Sequence, residues 1–232
     1  MTRTYTNLAN ESVQVLLDTL ADKNVAPDIY QKTMTKIGTL LGDAILSQIS
    51  NVHCNVYLAC TVEDADFLAK GMLLSLENYL KTVAFACFWN QRFSPFEIED
   101  LKVAPILRKY QEPVSPSVNY LIIIKSIISG ACVVRTNLTD LIERISPEKI
   151  FIVAPVMYIQ AEEKLKNSFE EDIYKKFKFF YFAKDDIRTA EGEVIPGIGG
   201  DVYHRLGFNG QEAKNKYIPE IVKNRRSKLI KV

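Results

Sequence analysis

Two stretches of the chain combine residue types and spacings that could do chemistry. In the first, Leu121-Ile122-Ile123-Ile124 is followed by Lys125-Ser126 and then by a small-residue turn, Ser129-Gly130-Ala131-Cys132, that enters a helix near Val133. Such a turn aims several backbone N–H groups at the positive end of a helix dipole, which suits a phosphate. A tight strand-to-helix turn that uses Gly130 only for its backbone freedom is the competing reading. In the second stretch, Gly197, Gly199 and Gly200 follow Pro196 and precede Asp201, His204 and Arg205. The main chain of such a loop can approach a planar ligand closely, and Val194, Ile195 and Ile198 are too apolar for a fully solvated turn.

Other candidates are weaker. Asp185-Asp186 reads as a solvated turn just past a strand end. His53 and His204 are the only histidines, and neither has a histidine partner at helical spacing, so a zinc site is not expected. Cys54, Cys60, Cys87 and Cys132 form no CxxC pair and lie in or beside apolar stretches, which predicts buried thiols.

The elements that must position these loops follow from periodicity. Val13, Leu16, Leu17 and Leu20, then Ile37, Leu40, Leu41, Ala44 and Ile45, recur at helical spacing, with Pro27 suited to a helix start. Val56–Cys60, Thr82–Trp89, Tyr120–Ile124, Ile150–Val156 and Phe177–Phe182 read as strands, with helical patterns over 63–78, 133–145 and 161–169. Ser146-Pro147 reads as a break before the fourth strand. Strands without polar alternation, separated by helix-length segments, predict an α/β fold with a parallel sheet covered by helices on both faces. Ligands in such folds sit beyond the carboxyl ends of the strands, which directs attention to 60–64, 89–93, 125–132 and everything after Phe182. Between Asn90 and Asn119, Pro95, Pro105, Pro113 and Pro116 interrupt apolar Ile98, Val103, Ile106 and Leu107, a pattern that fits a β-arm or flap better than a helix.

Composition narrows the function classes. The 232 residues are 47% hydrophobic and 25% charged, with 29 basic against 28 acidic side chains, giving a net charge of +1. That predicts one globular domain over 1–232 and offers no global electrostatic case for nucleic acid or an acidic membrane surface. The one basic cluster, Lys223 to Lys228 with Lys231, reads as a solvated face. No apolar run is long enough to span a bilayer and Met1–Glu11 is polar, so a cytoplasmic setting is expected.

The stretch Val194-Ile195-Pro196-Gly197-Ile198-Gly199-Gly200-Asp201, with Arg205-Leu206 and Gly207, resembles the uracil-recognition segment of uracil phosphoribosyltransferases, I-V-P-G-L-G-D-A-G-D-R followed by an aromatic and a glycine. Leu16 to Asn24 resembles the same family's L-L-T-x-L-R-D-K-x-T, and Phe88-Trp89-Asn90-Gln91-Arg92 stands where it has Y-R-D before the flap. The 125–132 loop falls in register with the phosphoribosyl-pyrophosphate (PRPP) loop, and Cys60-Thr61-Val62-Glu63-Asp64 with the pyrophosphate segment. The resemblance spans nearly the whole chain.

The resemblance implies a phosphoribosyltransferase-like core whose hood includes residues 1–50 and the glycine loop, a β-arm over 90–119, a C-terminal extension over 209–232 and a homodimer. In the implied reaction, ribose 5-phosphate passes from PRPP to uracil or a related base. Ser129, Gly130, Ala131 and Cys132, beside Lys125 and Ser126, would cradle the 5-phosphate. Ile195, Gly197, Ile198 and Gly199 would hold the base, Arg92 would sit on the flap, and Asp201 would stand nearest a Mg²⁺–pyrophosphate. Two departures imply an alternative. Lys125-Ser126 replaces the acid that holds the ribose hydroxyls, and Thr61, Glu63 and Asp64 replace pyrophosphate donors with two carboxylates, where like charges would repel. The alternative is a catalytically inactive relative that binds another nucleotide, a phosphate or a protein partner. A third possibility, a subunit of a larger assembly, rests on apolar Ile218, Ile221, Val222, Leu229 and Ile230, for which packing back onto the domain is the simpler expectation.

Overall fold

In the computed structural model, which describes residues 2–95, 102–115 and 117–229, the chain opens with β1 (Arg3–Tyr5), α1 (Glu11–Ala21) and α2 (Pro27–Leu46). Asn10 accepts the Val13 N–H at 3.0 Å and so caps α1, while Pro27 begins α2 where its missing N–H has no intrahelical partner to lose. Next come β2 (Val56–Thr61), a 3₁₀ turn at Val62–Asp64, a π-helical turn at Ala65–Ala69 and α3 (Lys70–Tyr79). They are followed by β3 (Val83–Asn90), β4 (Ile106–Gln111), β5 (Ser117–Ile124), β6 (Ile127–Ile128) and α4 (Cys132–Ile142). Then β7 (Ser146–Val153), β8 (Val156–Tyr158), α5 (Ala161–Lys166), α6 (Glu171–Tyr174), β9 (Phe177–Phe180) and β10 (Ala183–Asp185) complete the sheets. A short hairpin of β11 (Ile187–Arg188) and β12 (Val194–Ile195) leads to α7 (Val202–Arg205), α8 (Gly210–Lys216) and α9 (Glu220–Leu229).

The main sheet has the order β4-β3-β2-β5-β7-β9, parallel throughout except for β4, which runs antiparallel at one edge. The direction of winding reverses between β2 and β5, so a crevice opens beyond their carboxyl ends. Strand residues alternate between two apolar layers. Leu58, Cys60, Phe85, Cys87, Ile122 and Phe151 face α1, α2 and α3, whereas Ala59, Phe88, Leu121, Ile123 and Ile152 face Val134 and Leu138 of α4 and Leu165 of α5. Both faces are covered, which is why the strands read as continuous apolar runs. This is the α/β architecture that periodicity predicted. No helix among the described residues is long and apolar enough to cross a membrane.

The smaller sheet, β1-β10-β8-β6, is a bent continuation of the first. The two residues Lys125-Ser126, Ala154-Pro155 and Tyr181-Phe182 interrupt three parallel strands, and each strand then resumes as β6, β8 or β10. Arg3–Tyr5 pairs antiparallel with β10, so the polar N-terminal stretch is an edge strand. Pro147 does not break the chain: it lies in β7 opposite Val118, at a level where β9 has not yet begun and the strand is an edge on that side. β3 pairs antiparallel with β4, and Phe93 bridges Val103; Ile98, Pro116, Ile230 and Lys231 lie outside the described residues.

Residues 209–229 pack back across the domain. The Trp89 indole N–H donates to Tyr217 O at 2.8 Å, Val222 is buried, and Arg225 donates to Glu112, Glu77 and Val83 O.

Candidate functional site

The crevice at the winding reversal is floored by an ion cluster. Lys125 Nζ, just past β5, donates to Glu63 Oε1 and to Asp64 Oδ2, both at 2.8 Å, just past β2. All three are buried, at 4%, 4% and 1% exposure. Asp64 also accepts the Thr61 hydroxyl at 2.7 Å and the Ser126 N–H at 3.2 Å, so both of its oxygens are engaged. Burial alone would raise the Glu63 carboxyl, but Lys125 and then Lys214 reverse this and hold it well below the ordinary value. Burial would likewise lower the Lys125 ammonium, and Asp64 and Glu63 reverse that, holding it above its ordinary value.

A second lysine reaches this floor from the C-terminal region. Lys214 of α8 is 1% exposed, donates to Asn90 O at 2.7 Å, lies 5.0 Å from the Tyr203 ring centroid and stands 4.0 Å from Glu63 Oε2. Its burial pushes the ammonium below its ordinary value, against the pull of Glu63. Glu63 Oε2 and Ser126 Oγ are buried without a hydrogen-bond partner, and both residues line the crevice. Tyr203 is pushed up to about 12 by burial and then by the Glu63 charge.

Above this floor the crevice divides into two cavities of about 420 and 430 Å³ that share Arg92, Lys125, Ile127, Ser129, Glu191 and Gly192. The first is walled by the start of α4, where Ser129, Gly130, Ala131 and Cys132 line the space and Ala131 supplies no side-chain cap to the free N–H groups. Gly130 is not in the left-handed region, and a β-carbon there would meet nothing within 4 Å. Neither turn geometry nor packing requires glycine at this position; its effect is to keep the cavity open. Lys102, Arg135, Lys164 and Arg188 join Arg92 and Lys125, so six cations face one carboxylate, Glu191. The second cavity has the opposite balance: Glu63, Glu191, Glu193 and Asp201 against Arg92 and Lys125. A crevice with one basic and one acidic half suits a ligand with an anionic end and an end rich in N–H or O–H donors.

The residues singled out in the glycine loop divide between lining the crevice and holding the loop. Ile198 and Asp201 line the acidic cavity. Gly197 donates its N–H to Asp185 Oδ2 at 2.8 Å and accepts from Arg3 at 2.6 Å, and Gly199 packs so closely on α1 that a β-carbon would stand 2.4 Å from Leu20 O. Ile195 pairs with Ile187 in the hairpin. The loop is fixed against α2 by the Tyr30 hydroxyl, which donates to Ile198 O at 3.0 Å. Asp185 is not a solvated turn residue: it is fully buried, and two Arg3 nitrogens each donate to it at 2.8 Å, because it joins β1 to the glycine loop. Asp186 accepts the Thr2 N–H.

Thr61 and Asp64 are buried and line neither cavity, and Asp64 belongs to the floor only through its contact with Lys125. Cys54, Cys60 and Cys87 are buried free thiols and Cys132 is half-buried at the basic cavity. Asp201, the expected Mg²⁺ ligand, is exposed; its Oδ1 accepts the Tyr203 N–H at 2.9 Å, and its Oδ2 lies 3.7 Å from His204. Among the described residues no three His, Cys, Asp or Glu side chains converge on a metal position, so these side chains do not fit a Mg²⁺ held by protein alone. Lys102, Arg135, Lys164, Arg188, Glu191 and Glu193 were not legible as site residues. Arg188, Glu191 and Glu193 had a sequence signal only as part of the stretch after Phe182, and Arg135, in the first turn of α4, only in its closeness to the small-residue turn.

No protein-family model matches the sequence, and no match is found among curated proteins. Among solved structures, the AQ2163 protein from Aquifex aeolicus is similar with a TM-score of 0.68 at 17% identity, over 89% of this chain and 99% of that one. Adenine phosphoribosyltransferase from Thermoanaerobacter pseudethanolicus is more distant, with a TM-score of 0.38 at 9% identity over 66% of this chain and 84% of that one. Hypoxanthine phosphoribosyltransferase from Trypanosoma cruzi gives 0.37 at 13% identity over 59% of this chain and 68% of that one. The first of these likenesses shows that the α/β fold described above is shared.

Proposed function

We propose that this protein binds a phosphorylated ribose compound, a nucleotide or a phosphoribosyl group, on a phosphoribosyltransferase-like scaffold, without transferring the ribose. The observation that carries this reading is the closed ion cluster of Lys125, Glu63 and Asp64. Lys125 stands where the family resemblance calls for a carboxylate accepting ribose hydroxyls, and an ammonium has only donors to offer. Glu63 and Asp64 stand where a pyrophosphate leaving group needs cations or N–H groups, and the one cation between them is already neutralised. The open turn at Ser129, Gly130, Ala131 and Cys132 supports a 5-phosphate in the basic cavity, with Lys125 shared by the two cavities and Ser126 lining the acidic one. Ile198 and Asp201 in the acidic cavity support a sugar or base edge bearing donors.

PRPP-dependent transfer to uracil or a related base is the second reading, favoured by the position of the phosphate turn and the glycine loop on two sides of one crevice. A homodimer in a cytoplasmic setting goes with either reading; sedimentation velocity tests the dimer, and a single species of monomer mass would exclude it. Purified protein is to be titrated with UMP by calorimetry and incubated with PRPP, Mg²⁺ and uracil while pyrophosphate release is followed. The expected result is UMP binding tighter than about 0.1 mM, roughly −5.5 kcal/mol, with no pyrophosphate released. Steady formation of UMP would overturn the non-transferring reading, and silence in both experiments would remove both.

A further inference from the structure

We infer that the basic cavity is built for a ligand carrying at least two phosphoryl groups, with the second held by Arg135 of α4, Lys164 of α5 and Arg188 of the β11–β12 hairpin. This rests on the reading that a phosphate binds at the start of α4 and names the ligand class more closely.

One phosphate monoester brings about two negative charges, and the turn at the start of α4 already offers it uncapped N–H groups. Lys125 is already paired with Glu63 and Asp64, but the other five cations, Arg92, Lys102, Arg135, Lys164 and Arg188, against Glu191 alone still exceed what that phosphate can neutralise. Two of them are held close together. A β-carbon on Gly192 would stand 2.9 Å from Arg188 Nη2 and 3.5 Å from Lys102 Nζ, so both cations crowd one small volume at the hairpin tip. Arg188 Nε is in addition a buried donor with no acceptor. Like charges brought together around an unused donor repel one another unless an anion lies between them. Lys164 has no carboxylate partner among the described residues and is exposed, as is Arg135, so these two can close on a ligand without breaking an existing ion pair.

Position matters as much as number. The family resemblance would put a pyrophosphate beyond β2, over Thr61–Asp64, where acids now stand. Arg135, Lys164 and Arg188, on α4, α5 and the β11–β12 hairpin, line the basic cavity, whereas Glu63 lines only the acidic one. The second phosphoryl group therefore belongs beyond the first and away from Glu63. A nucleoside diphosphate or another phosphoric anhydride has this shape, and its donor-rich end would then reach the acidic cavity.

The test is calorimetric titration at low ionic strength with inorganic phosphate, pyrophosphate and tripolyphosphate, on the natural protein, on Arg188→Gln and Lys164→Gln, and on Lys36→Gln, which alters an exposed lysine of α2 that lines neither cavity. Pyrophosphate is expected to bind at least about tenfold tighter than phosphate. Arg188→Gln and Lys164→Gln should each remove most of that advantage while changing phosphate affinity less than about threefold, and Lys36→Gln should change neither. Lys164 is exposed, so its variant keeps the test open should Arg188→Gln fold poorly. Equal binding of phosphate and pyrophosphate, or equal loss of both in the variants, would overturn the inference while leaving the nucleotide reading standing. Absence of phosphate and UMP binding altogether would overturn both.

Discussion

Lys125 shows how one residue sets both stability and chemistry. Replacing it with Met leaves Glu63 and Asp64 buried without their cation, and removal of one partner from a buried ion pair costs about 3–5 kcal/mol. The pH dependence should also change sign. In the natural protein Glu63 is depressed below 4.5, so its contribution is fully present above that pH and is lost as pH falls through the folded-state value. In Lys125→Met, burial without the cation raises the Glu63 carboxyl, and stability should instead decline as pH rises from 5 towards 8. Denaturant melts across that range check both statements; a variant with the parent's pH profile would show that Lys214 alone compensates the carboxylates. The sequence, read through the family resemblance, displayed Lys125, Glu63 and Asp64 as anomalies at two separate loops. Their neutralisation of one another was not legible, because the contact spans 62 residues and no local pattern couples them. Arg188 and Lys164 were not singled out for the same reason: a single cation in a two-residue strand or a short helix has no periodicity to betray its direction.

At the level of elements, two close approaches hold the site in register. Helix α2 touches the π-helical turn and α3 backbone to backbone: a β-carbon on Gly38 would stand 2.0 Å from Leu68 O, and one on Gly71 would stand 2.0 Å from Thr35 O. Gly71→Ala must push the helices apart, shifting the π-helical turn that follows Asp64; overpacking of this kind costs about 1–3 kcal/mol, measurable as a lower denaturation midpoint. The second approach is α9 against that same turn. Asp66 accepts the N–H groups of Glu220 and Ile221 at 2.9 Å and the Tyr217 hydroxyl, and so caps α9 from across the fold. Asp66→Ala should destabilise by about 1–2 kcal/mol through the lost cap. Truncation after Phe208 should move Trp89 emission to the red, since the only tryptophan loses the carbonyl of Tyr217 and its cover. Unchanged emission would mean that the arm alone shields it. The long parallel strands were legible as continuous apolar runs because both of their faces are buried. The second sheet was not, because its strands are two or three residues long and begin only after each main strand has bent.

The molecule as a whole carries almost no net charge, and the sequence made that plain; it could not show that the charge is sorted, because tertiary convergence alone brings Lys102, Arg135, Lys164 and Arg188 to one cavity and Glu63, Glu193 and Asp201 to its neighbour. The sorting has a consequence that separates a local anion site from a polyanion-binding surface. A surface field acts over about 10 Å at 0.1 M salt, and with +1 overall there is little of it to steer a long polyanion, so the protein should pass through heparin or duplex DNA resin at 0.15 M salt. A compact anion inside the cavity meets five cations besides the paired Lys125 and should still be held there. Its affinity should weaken by roughly tenfold or less between 0.05 and 0.5 M salt, as expected for partly screened contacts at short distance. Retention on the resin, with pyrophosphate affinity vanishing at 0.5 M salt, would instead place the binding on exposed lysines outside the crevice. Flow-through on the resin together with retained pyrophosphate binding would locate the charge that matters in the crevice at the end of the sheet.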